Sequence, residues 1–304
     1  MKLSMVMGKN GFAEQHKIVN EKAFKTLALA GANIDMEFCT FIANDRYLED
    51  ISPKATMVIT TAQIAHKIIN SARGICIVED PRIIFFKLHN FLRGNEEYIR
   101  AKKDNKIGHG CIISPSAYIA ENNVNIGNNV TIEEFVSIKE NVSIGDDVII
   151  RTGSVIGGEG FEFKNTGDEI IPVKHMGGVT ILDNVEIQSS SCIDKALYPW
   201  DETIIGEHTK IDNMVHIAHG VKLGKRCMVV ANSGIGGRVV IGDDCWIGFN
   251  TTIRNGLSIG NRARINMGAV VTKNVLEGQQ VSGNFAIPHE KFMQNIKMSG
   301  TTLE

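Results

Sequence analysis

The chain has 304 residues, 43% hydrophobic content and a formal net charge of −2. It lacks the basic excess that a nucleic-acid binder needs, so nucleic acid is not expected as a partner. No apolar run approaches the ~20 residues of a membrane span, and the N-terminal stretch is too short and interrupted for a signal peptide, which predicts a soluble, cytoplasmic protein. The six cysteines form no C-x-x-C pair, so neither a zinc site nor a redox dithiol is predicted, and no metal is expected.

Residues 1–100 are predicted to form a small α/β domain. Segment 21–31 has the apolar spacing of a helix and ends at a glycine. Residues 57–60 and 75–78 are short β-branched runs that fit buried strands. Residues 81–91 begin with proline and continue with closely spaced aliphatic and aromatic side chains, which predicts a helix with proline in its first turn.

From residue 107 onward, aliphatic residues recur at every sixth position. The longest run extends from Ile181 to Val271, and only Pro199 interrupts it. A period of six fits neither a helix nor a single strand, but it is typical of a coil built from three short strands with a tight turn after each. We therefore predict a parallel β-helix over 107–280, with a loop ejected at 157–180. Residues 281–304 are predicted to form a C-terminal strand and helix.

One histidine stands at a position that favours chemistry. His219 lies two residues after the inward-facing Ile217, so it is expected at a corner of the coil, facing outward. Gly237 follows one full coil later and should lie directly above it, where its backbone N–H is close to the imidazole. A neutral imidazole can take a proton from an attacking nucleophile, and a fixed N–H can stabilise an oxyanion, so the two groups together favour catalysis. The alternative is a histidine that only fills a turn.

Two local motifs and the repeat resemble a known family. The repeat resembles the left-handed parallel β-helix acyltransferases. The segment 41–47, Phe-Ile-Ala-Asn-Asp-Arg-Tyr, resembles the N-terminal domain of the lipid A biosynthesis family UDP-3-O-acylglucosamine N-acyltransferase, and 211–219, Ile-Asp-Asn-Met-Val-His-Ile-Ala-His, is similar to its catalytic segment. The resemblance implies a mostly β fold, in which a left-handed parallel β-helix follows a small α/β nucleotide-binding domain and precedes a short C-terminal helix.

The family resemblance implies roles for four residues of the catalytic region. His219 corresponds to the general base and Gly237 to the oxyanion donor. Asp212 corresponds to the carboxylate that orients the base; a turn aspartate that bonds its own backbone is the equally weighted alternative. His216, at the rim of the strand face, is a candidate substrate-binding group.

The resemblance also implies a uridine pocket. Phe41 and Tyr47 correspond to the two rings that sandwich uracil, and Asn44 to the amide that reads its edge. Base stacking of this kind is worth ~1 to 3 kcal/mol, and an amide supplies both a donor and an acceptor. The alternative is a small hydrophobic cluster that closes a loop.

Segment 265–275 is similar to the closing coil of coenzyme-A-dependent sugar acetyltransferases. Lys273 is therefore a candidate donor-binding group, and together with Arg262 and Arg264 it would meet the phosphates of coenzyme A. The alternative is that the residues of this segment only form turns. Two departures from the lipid A family leave the sugar and the acyl group open. Segment 253–257 has no second histidine, and 194–200 replaces the family's Asp-Arg-Gly-Ala-Leu segment.

The sequence thus predicts an N-acyltransferase that moves an acyl group from acyl-CoA or an acyl carrier protein to the amine of a UDP-linked amino sugar, for lipid A or a related surface glycan. The alternatives are a coenzyme-A-dependent nucleotide-sugar N-acetyltransferase or short-chain acyltransferase, and an inactive solenoid scaffold. No permanently bound cofactor is expected. The resemblance implies a homotrimer, because an isolated prism would leave corner residues such as His219 on an open face.

Overall fold

The computed structural model describes residues 1–8, 16–69, 71–283 and 286–298. Its N-terminal part is an α/β unit around a five-stranded sheet of order β1-β5-β4-β3-β2, in which only β1 is antiparallel to its neighbour. The elements are α1 Leu3–Met7, β1 Lys17–Val19, β2 Thr26–Leu27, β3 Phe38–Ile42, a 3₁₀ turn Asp45–Tyr47, β4 Ala55–Thr60, α2 Ala62–Ile68, β5 Gly74–Ile77 and α3 Pro81–Leu92.

Three of the four predicted N-terminal elements are confirmed and one is wrong. Residues 57–60 belong to β4 and residues 75–77 to β5, which ends one residue before the predicted strand. Helix α3 begins with proline after Asp80, whose carboxylate accepts a hydrogen bond from Ile83 N at 3.0 Å. The helix predicted over 21–31 is absent, and this segment contains only the two-residue edge strand β2. The segment is buried on both sides, Leu27 in the cluster that includes α3 and Ala28 in the cluster that includes Phe38 of β3, so its apolar residues follow each other at a spacing that imitates a helix.

The predicted β-helix is confirmed, and it consists of very short strands. They are β6 Lys106–Ile107, β7 Ile112–Ile113, β8 Tyr118–Ile119, β9 Val124–Ile126, β10 Thr131–Ile132, β11 Ser137–Ile138, β12 Val142–Ile144, β13 Ile149–Ile150, β14 Val155–Gly158, β15 Phe163–Asn165, β16 Ile170–Pro172, β17 Gly178–Ile181, β18 Glu186–Ile187, β19 Cys192–Asp194, β20 Glu202–Ile205, β21 Lys210–Ile211, β22 His216–Ile217, β23 Lys222–Leu223, β24 Met228–Val229, β25 Gly234–Ile235, β26 Val240–Ile241, β27 Trp246–Ile247, β28 Thr252–Ile253, β29 Ser258–Ile259, β30 Arg264–Ile265, β31 Val270–Val271 and β32 Gln280–Val281.

Apart from the hairpin of β15 and β16, these strands form three parallel sheets of nine, eight and eight strands. Residues that pair on neighbouring strands are one full coil apart in the sequence, which is three repeats of six residues. Ile217 pairs with Ile235, and Ile235 pairs with Ile253. The anchors of the repeat are buried in a single continuous core. The corners are equally regular, because Asn232 and Asn250, at the same place in successive coils, both take a left-handed backbone with φ of 58° and 54°. Asparagine tolerates that conformation.

Two segments leave the coil and pack against the N-terminal unit. The first, between β14 and β17, contains the antiparallel hairpin β15–β16, and the second follows β19. Met176 from the first and Tyr198 from the second join the apolar cluster that includes Phe85 of α3. Trp200 Nε1 donates to Leu27 O at 2.9 Å. These contacts bring the α/β unit to one face of the coil and form the walls of the site described below.

The chain continues after β32 into a C-terminal helix, α4 His289–Met298. Of the segment 281–304 that was predicted to form a strand and a helix, residues 284–285 and 299–304 lie outside the described residues. No helix in the part of the chain that is described is both long and apolar enough to span a membrane.

Candidate active site

His219 and Gly237 lie against each other on neighbouring coils. Arg238 N donates to His219 O at 2.9 Å, and a Cβ built on Gly237 would lie 2.7 Å from both Cε1 and Nε2 of the imidazole. Only glycine leaves room for the ring at that place. Among the residues the structure describes, the Gly237 N–H has no hydrogen-bond partner, so it is free to donate to a bound group.

The corner that carries His219 is not open, contrary to the expectation from the sequence. Its side chain is only 9% exposed, because the first excursion folds back over it. Glu162 Oε2, from that excursion, lies 3.4 Å from His219 Nε2, and Glu162 also pairs with Lys164. Burial alone would raise the pKa of Glu162, but the hydrogen bonds with His219 and Lys164 outweigh it and lower the pKa to about 2. Glu162 is therefore a carboxylate anion beside the candidate base.

Asp212 does not contact the imidazole, so the structure does not support its assignment as the orienting carboxylate. Asp212 Oδ1 accepts from the backbone N and the side-chain Nδ2 of Asn213 at 2.7 and 2.8 Å, and Oδ2 accepts from Ala231 N at 3.1 Å. These are the bonds of a turn aspartate. The reason is geometric: Asp212 lies in the turn after β21, one strand away from the corner of His219, whereas Glu162 reaches His219 from outside the coil.

His216 and His175 extend the polar cluster on either side of the base. His216 Nε2 lies 2.9 Å from Asp194 Oδ2, and this hydrogen bond raises the pKa of His216 although partial burial opposes it. His175, from the segment between β16 and β17, places its ring 5.3 Å from the ring of His219. The sequence analysis missed His175, Glu162 and Asp194; their only signal was that they lie in or beside the segments that interrupt the repeat.

Phe41, Asn44 and Tyr47 all line one cleft of about 1140 Å³ between the α/β unit and the coil. Phe41 packs against Phe85 of α3 with 4.9 Å between ring centroids, and Tyr47 is partly exposed. Asn44 Oδ1 accepts from Arg46 N at 3.1 Å and begins the 3₁₀ turn. The turn thus uses one lone pair of the Asn44 carbonyl, which leaves its amide N–H groups to read a base.

The same cleft contains two arginines that the sequence analysis did not identify. Arg82, at the start of α3, and Arg238, which directly follows Gly237, both line it together with Trp200. Neither guanidinium forms an ion pair within the described ranges. The cleft therefore extends from the predicted uridine pocket to Arg238, the residue next to the His219–Gly237 pair, and Arg82 also lines it.

The three candidate donor-binding residues lie near the C-terminal end of the coil. Arg262, in the turn before β30, forms an ion pair with Glu277. Arg264, on β30, lies over the Trp246 ring at 5.1 Å and lines a second, smaller cleft with it. Lys273 is exposed just after β31. Across the described ranges, no group of three or more His, Cys, Asp or Glu side chains is arranged to hold a metal ion.

Comparisons with known proteins agree with this architecture. Residues 123–158, 202–237 and 238–273 match the family described as bacterial transferase hexapeptide (six repeats). Solved structures of UDP-N-acetylglucosamine acyltransferases are similar in fold: that from Campylobacter jejuni has a TM-score of 0.53 at 20% identity, covering 66% of this chain and 80% of its own. The Bacteroides fragilis protein has a TM-score of 0.51 at 27% identity, covering 59% of this chain and 66% of its own.

Curated relatives are named UDP-3-O-acylglucosamine N-acyltransferase. The Caulobacter sp. relative is 36% identical over 145 residues, which is 48% of this chain and 42% of the relative, so the match spans less than half of that protein's length. The Delftia acidovorans relative is 31% identical over 261 residues, which is 82% of this chain and 76% of the relative. On this last match, which covers more than four fifths of the chain, the chain belongs to the UDP-3-O-acylglucosamine N-acyltransferase family.

Proposed function

We propose that the protein transfers an acyl group from a phosphopantetheine thioester to the amine of a UDP-linked amino sugar, in the synthesis of lipid A or a related glycan. The single observation that carries this proposal is the cleft that joins Phe41, Asn44 and Tyr47 to the residue beside the His219–Gly237 pair. An inactive scaffold would not need an unpaired N–H and a buried histidine at one end of a cleft with two aromatic side chains at the other.

The chemical step follows from the position of the catalytic groups. The amine nitrogen attacks the thioester carbonyl, and a C–N bond forms while the carbonyl oxygen becomes an oxyanion, which the Gly237 N–H stabilises. The His219 imidazole takes the proton of the amine and then gives it to the departing thiolate. Glu162, 3.4 Å from His219 Nε2, favours the imidazolium that forms between these two proton transfers. The products are an amide and a free thiol.

Nucleotide binding would use the other end of the cleft. Uracil stacks between Phe41 and Tyr47, and the Asn44 amide donates to a carbonyl oxygen of the base. Arg82 and Arg238 then hold the diphosphate, because an unpaired guanidinium matches phosphate oxygens in geometry and charge. This order of groups places the sugar, which follows the diphosphate, next to His219.

The identity of the donor is inferred from the C-terminal end of the coil. The basic residues Arg262, Arg264 and Lys273 favour coenzyme A over an acyl carrier protein. Glu277 neutralises Arg262, so the positive surface that would meet coenzyme A is smaller than predicted. Acyl-CoA and acyl carrier protein should therefore be supplied in competition: turnover with only the carrier protein would contradict the preference for coenzyme A.

The proposed assembly is a homotrimer of parallel prisms with its clefts between subunits. Large apolar side chains on the outer faces of the coil support it, since Met214, Phe249 and Met267 are each about half exposed or more and would be buried by a neighbouring prism. Light scattering at micromolar concentration would show a mass three times that of the chain. A monomer under these conditions would contradict the assembly.

The decisive experiment removes the base. His219→Ala should lower kcat by several powers of ten while the affinity for the UDP-sugar stays near normal, since the base acts mainly in the transition state. Turnover is followed by release of free thiol from acyl-CoA or acyl carrier protein with UDP-3-O-acylglucosamine as acceptor. His208→Asn is a matched control, because His208 is exposed in a turn at φ 59°, a conformation that asparagine tolerates. Unchanged turnover in His219→Ala would refute the proposed mechanism.

A further inference from the structure

Asp201 is a firmly held residue at the end of the excursion that follows β19, directly before β20. Its backbone N donates to Tyr198 O at 2.9 Å, and its backbone O accepts from Gly178 N at 3.1 Å and from Arg100 Nη2 at 3.0 Å. These three hydrogen bonds fix the point from which the side chain extends. The side chain is 16% exposed, and the proposed acyl-transfer step does not use it.

The two carboxylate oxygens of Asp201 have different surroundings. Oδ1 accepts from Lys222 Nζ and from Glu202 N, both at 2.8 Å. Oδ2 has no hydrogen-bond partner among the residues that the structure describes. An ionised carboxylate accepts through both of its oxygens, so Oδ2 keeps its capacity to accept. Lys222 offsets the negative charge, which makes the carboxylate compatible with a nucleotide diphosphate in the same cleft.

Asp201 lies beside the corner of the coil that carries the candidate base. It lines the cleft of about 1140 Å³, as do Arg82 and Arg238. Gly220 directly follows His219, and a Cβ built on Gly220 would lie 3.3 Å from Asp201 Oδ2 and 3.3 Å from Arg238 Cγ. A free acceptor oxygen and a guanidinium therefore stand on either side of the residue next to the base, and both border an open cleft.

The chemistry of Oδ2 decides which part of the acceptor it can bind. Phosphate oxygens are negatively charged acceptors, so they match Arg238 and are repelled by a carboxylate. An alkyl chain has no donor for it. A sugar hydroxyl has one O–H donor, and the hydroxyls of an amino sugar lie within one ring of its amine. In UDP-3-O-acylglucosamine, the acceptor of the turnover assay, the free hydroxyls of the sugar are those on C4 and C6.

We propose that Asp201 Oδ2 accepts a hydrogen bond from the C4 or C6 hydroxyl of the acceptor sugar, and that this contact holds the sugar with its amine toward His219. This inference rests on the proposed function and deepens it, since it assigns a residue that recognises the sugar itself. The nucleotide is bound by other residues, so the two parts of the ligand can be tested separately.

The test compares ligands that differ only in one hydroxyl. Calorimetry with UDP-glucosamine and with its 4-deoxy and 6-deoxy analogues measures the contribution of each hydroxyl, and UDP alone measures the nucleotide site. One of the two analogues should bind the wild type about ten- to a hundredfold more weakly than UDP-glucosamine, as expected for a hydrogen bond to a charged group. In Asp201→Ala this ratio should fall to about one, while the affinity for UDP stays near that of the wild type. A purely structural role of Asp201 would leave the ratio unchanged.

Two further variants make the result interpretable. Lys222→Gln removes the ion pair but leaves Oδ2 in place, so it should keep the wild-type ratio; an equal fall of the ratio in this variant would assign the effect to the ion pair and overturn the inference. Asp201→Asn keeps the shape of the side chain and should lower the ratio, since a neutral acceptor forms a weaker bond, which tests the site if Asp201→Ala does not fold.

Two other results separate this inference from the proposed function. If both analogues bind the wild type as tightly as UDP-glucosamine, or if the ratio is the same in the wild type and in both variants of Asp201, the inference is overturned and the proposed function stands. If the wild type does not bind UDP, the proposed function itself is overturned.

Discussion

Gly237→Ala tests the relation between the coil geometry and catalysis with a single methyl group. The new Cβ would lie 2.7 Å from Cε1 and Nε2 of His219 and 3.2 Å from Cδ2. The backbone at Gly237 does not have a left-handed φ, so alanine is conformationally allowed there. The contact is therefore relieved by movement of the imidazole and not by unfolding of the coil.

The magnitude follows from the size of that movement. An ordinary contact begins at 3.4 Å, so the ring must move by about 0.7 Å from its present position. A misplacement on the order of 1 Å in a catalytic group lowers the rate by roughly 10²-fold, which corresponds to about 2.7 kcal/mol of transition-state stabilisation. The free energy of unfolding should fall by no more than about 1 to 3 kcal/mol, because the buried imidazole must move to make room for the methyl group, whereas alanine restricts the unfolded chain and offsets part of that loss.

The assay is thiol release at saturating acceptor and donor, with thermal unfolding measured on the same samples. Gly234→Ala is the matched control: Gly234 lies shortly before Gly237 on the same coil, its backbone is not left-handed, and a Cβ there would meet nothing within 4 Å. It should keep wild-type turnover. Wild-type kcat in Gly237→Ala would refute the reasoning, because the imidazole would then not need its position against Gly237. A loss of turnover that is equal in both variants would also refute it.

Four further outcomes are expected. Tyr47→Ala should weaken UDP binding by roughly 1 to 3 kcal/mol through lost stacking, without affecting a pantetheine donor, as measured by calorimetry; an unchanged Kd would contradict the uridine pocket. Arg82→Ala should weaken binding of UDP but not of uridine, and equal losses would contradict its contact with the diphosphate. Glu162→Gln should lower kcat, because the imidazolium that forms during acyl transfer would lose the negative charge beside it, whereas Asp212→Asn should leave kcat near the wild-type value; the reverse result would restore the assignment of Asp212. Burial lowers the pKa of His175 from its ordinary 6.5 to about 4 on folding, so between these pH values the unfolded chain binds a proton that the folded chain does not. The free energy of unfolding should therefore decrease as the pH falls from 6.5 to 4, by up to about 3 kcal/mol. Urea unfolding of the wild type and of His175→Gln at several pH values should show a smaller decrease in the variant.

The β-helix could be predicted because its determinants repeat. Each anchor meets the same surroundings as the anchor one coil away, so a pattern of single residues specifies the three sheets and their register. The spacing of one coil between residues in equivalent positions also correctly predicted that Gly237 lies against His219. Phe41, Asn44 and Tyr47 likewise line one cleft, since they are close in sequence and their spacing around a short turn is set locally.

Other features depend on contacts between distant, non-repeating segments. Segment 21–31 has the apolar content of a helix, but burial of both its faces by β3, α3 and Trp200 makes it an edge strand. Asp212 has the family spacing from the base, yet its carboxylate is used by backbone N–H groups of its own turn and of the next coil.

The sequence by itself determined the coil and the position of Gly237 against His219, because both depend on periodicity and on contacts one coil apart. Only the tertiary structure decided what surrounds His219. Glu162 and His175 come from the excursion between β14 and β17, which leaves the coil more than two coils before His219 in the sequence. No period of the sequence therefore relates Glu162 or His175 to His219. Their position follows from packing of the excursion against the α/β unit, which is a property of the whole fold and has no local sequence signal.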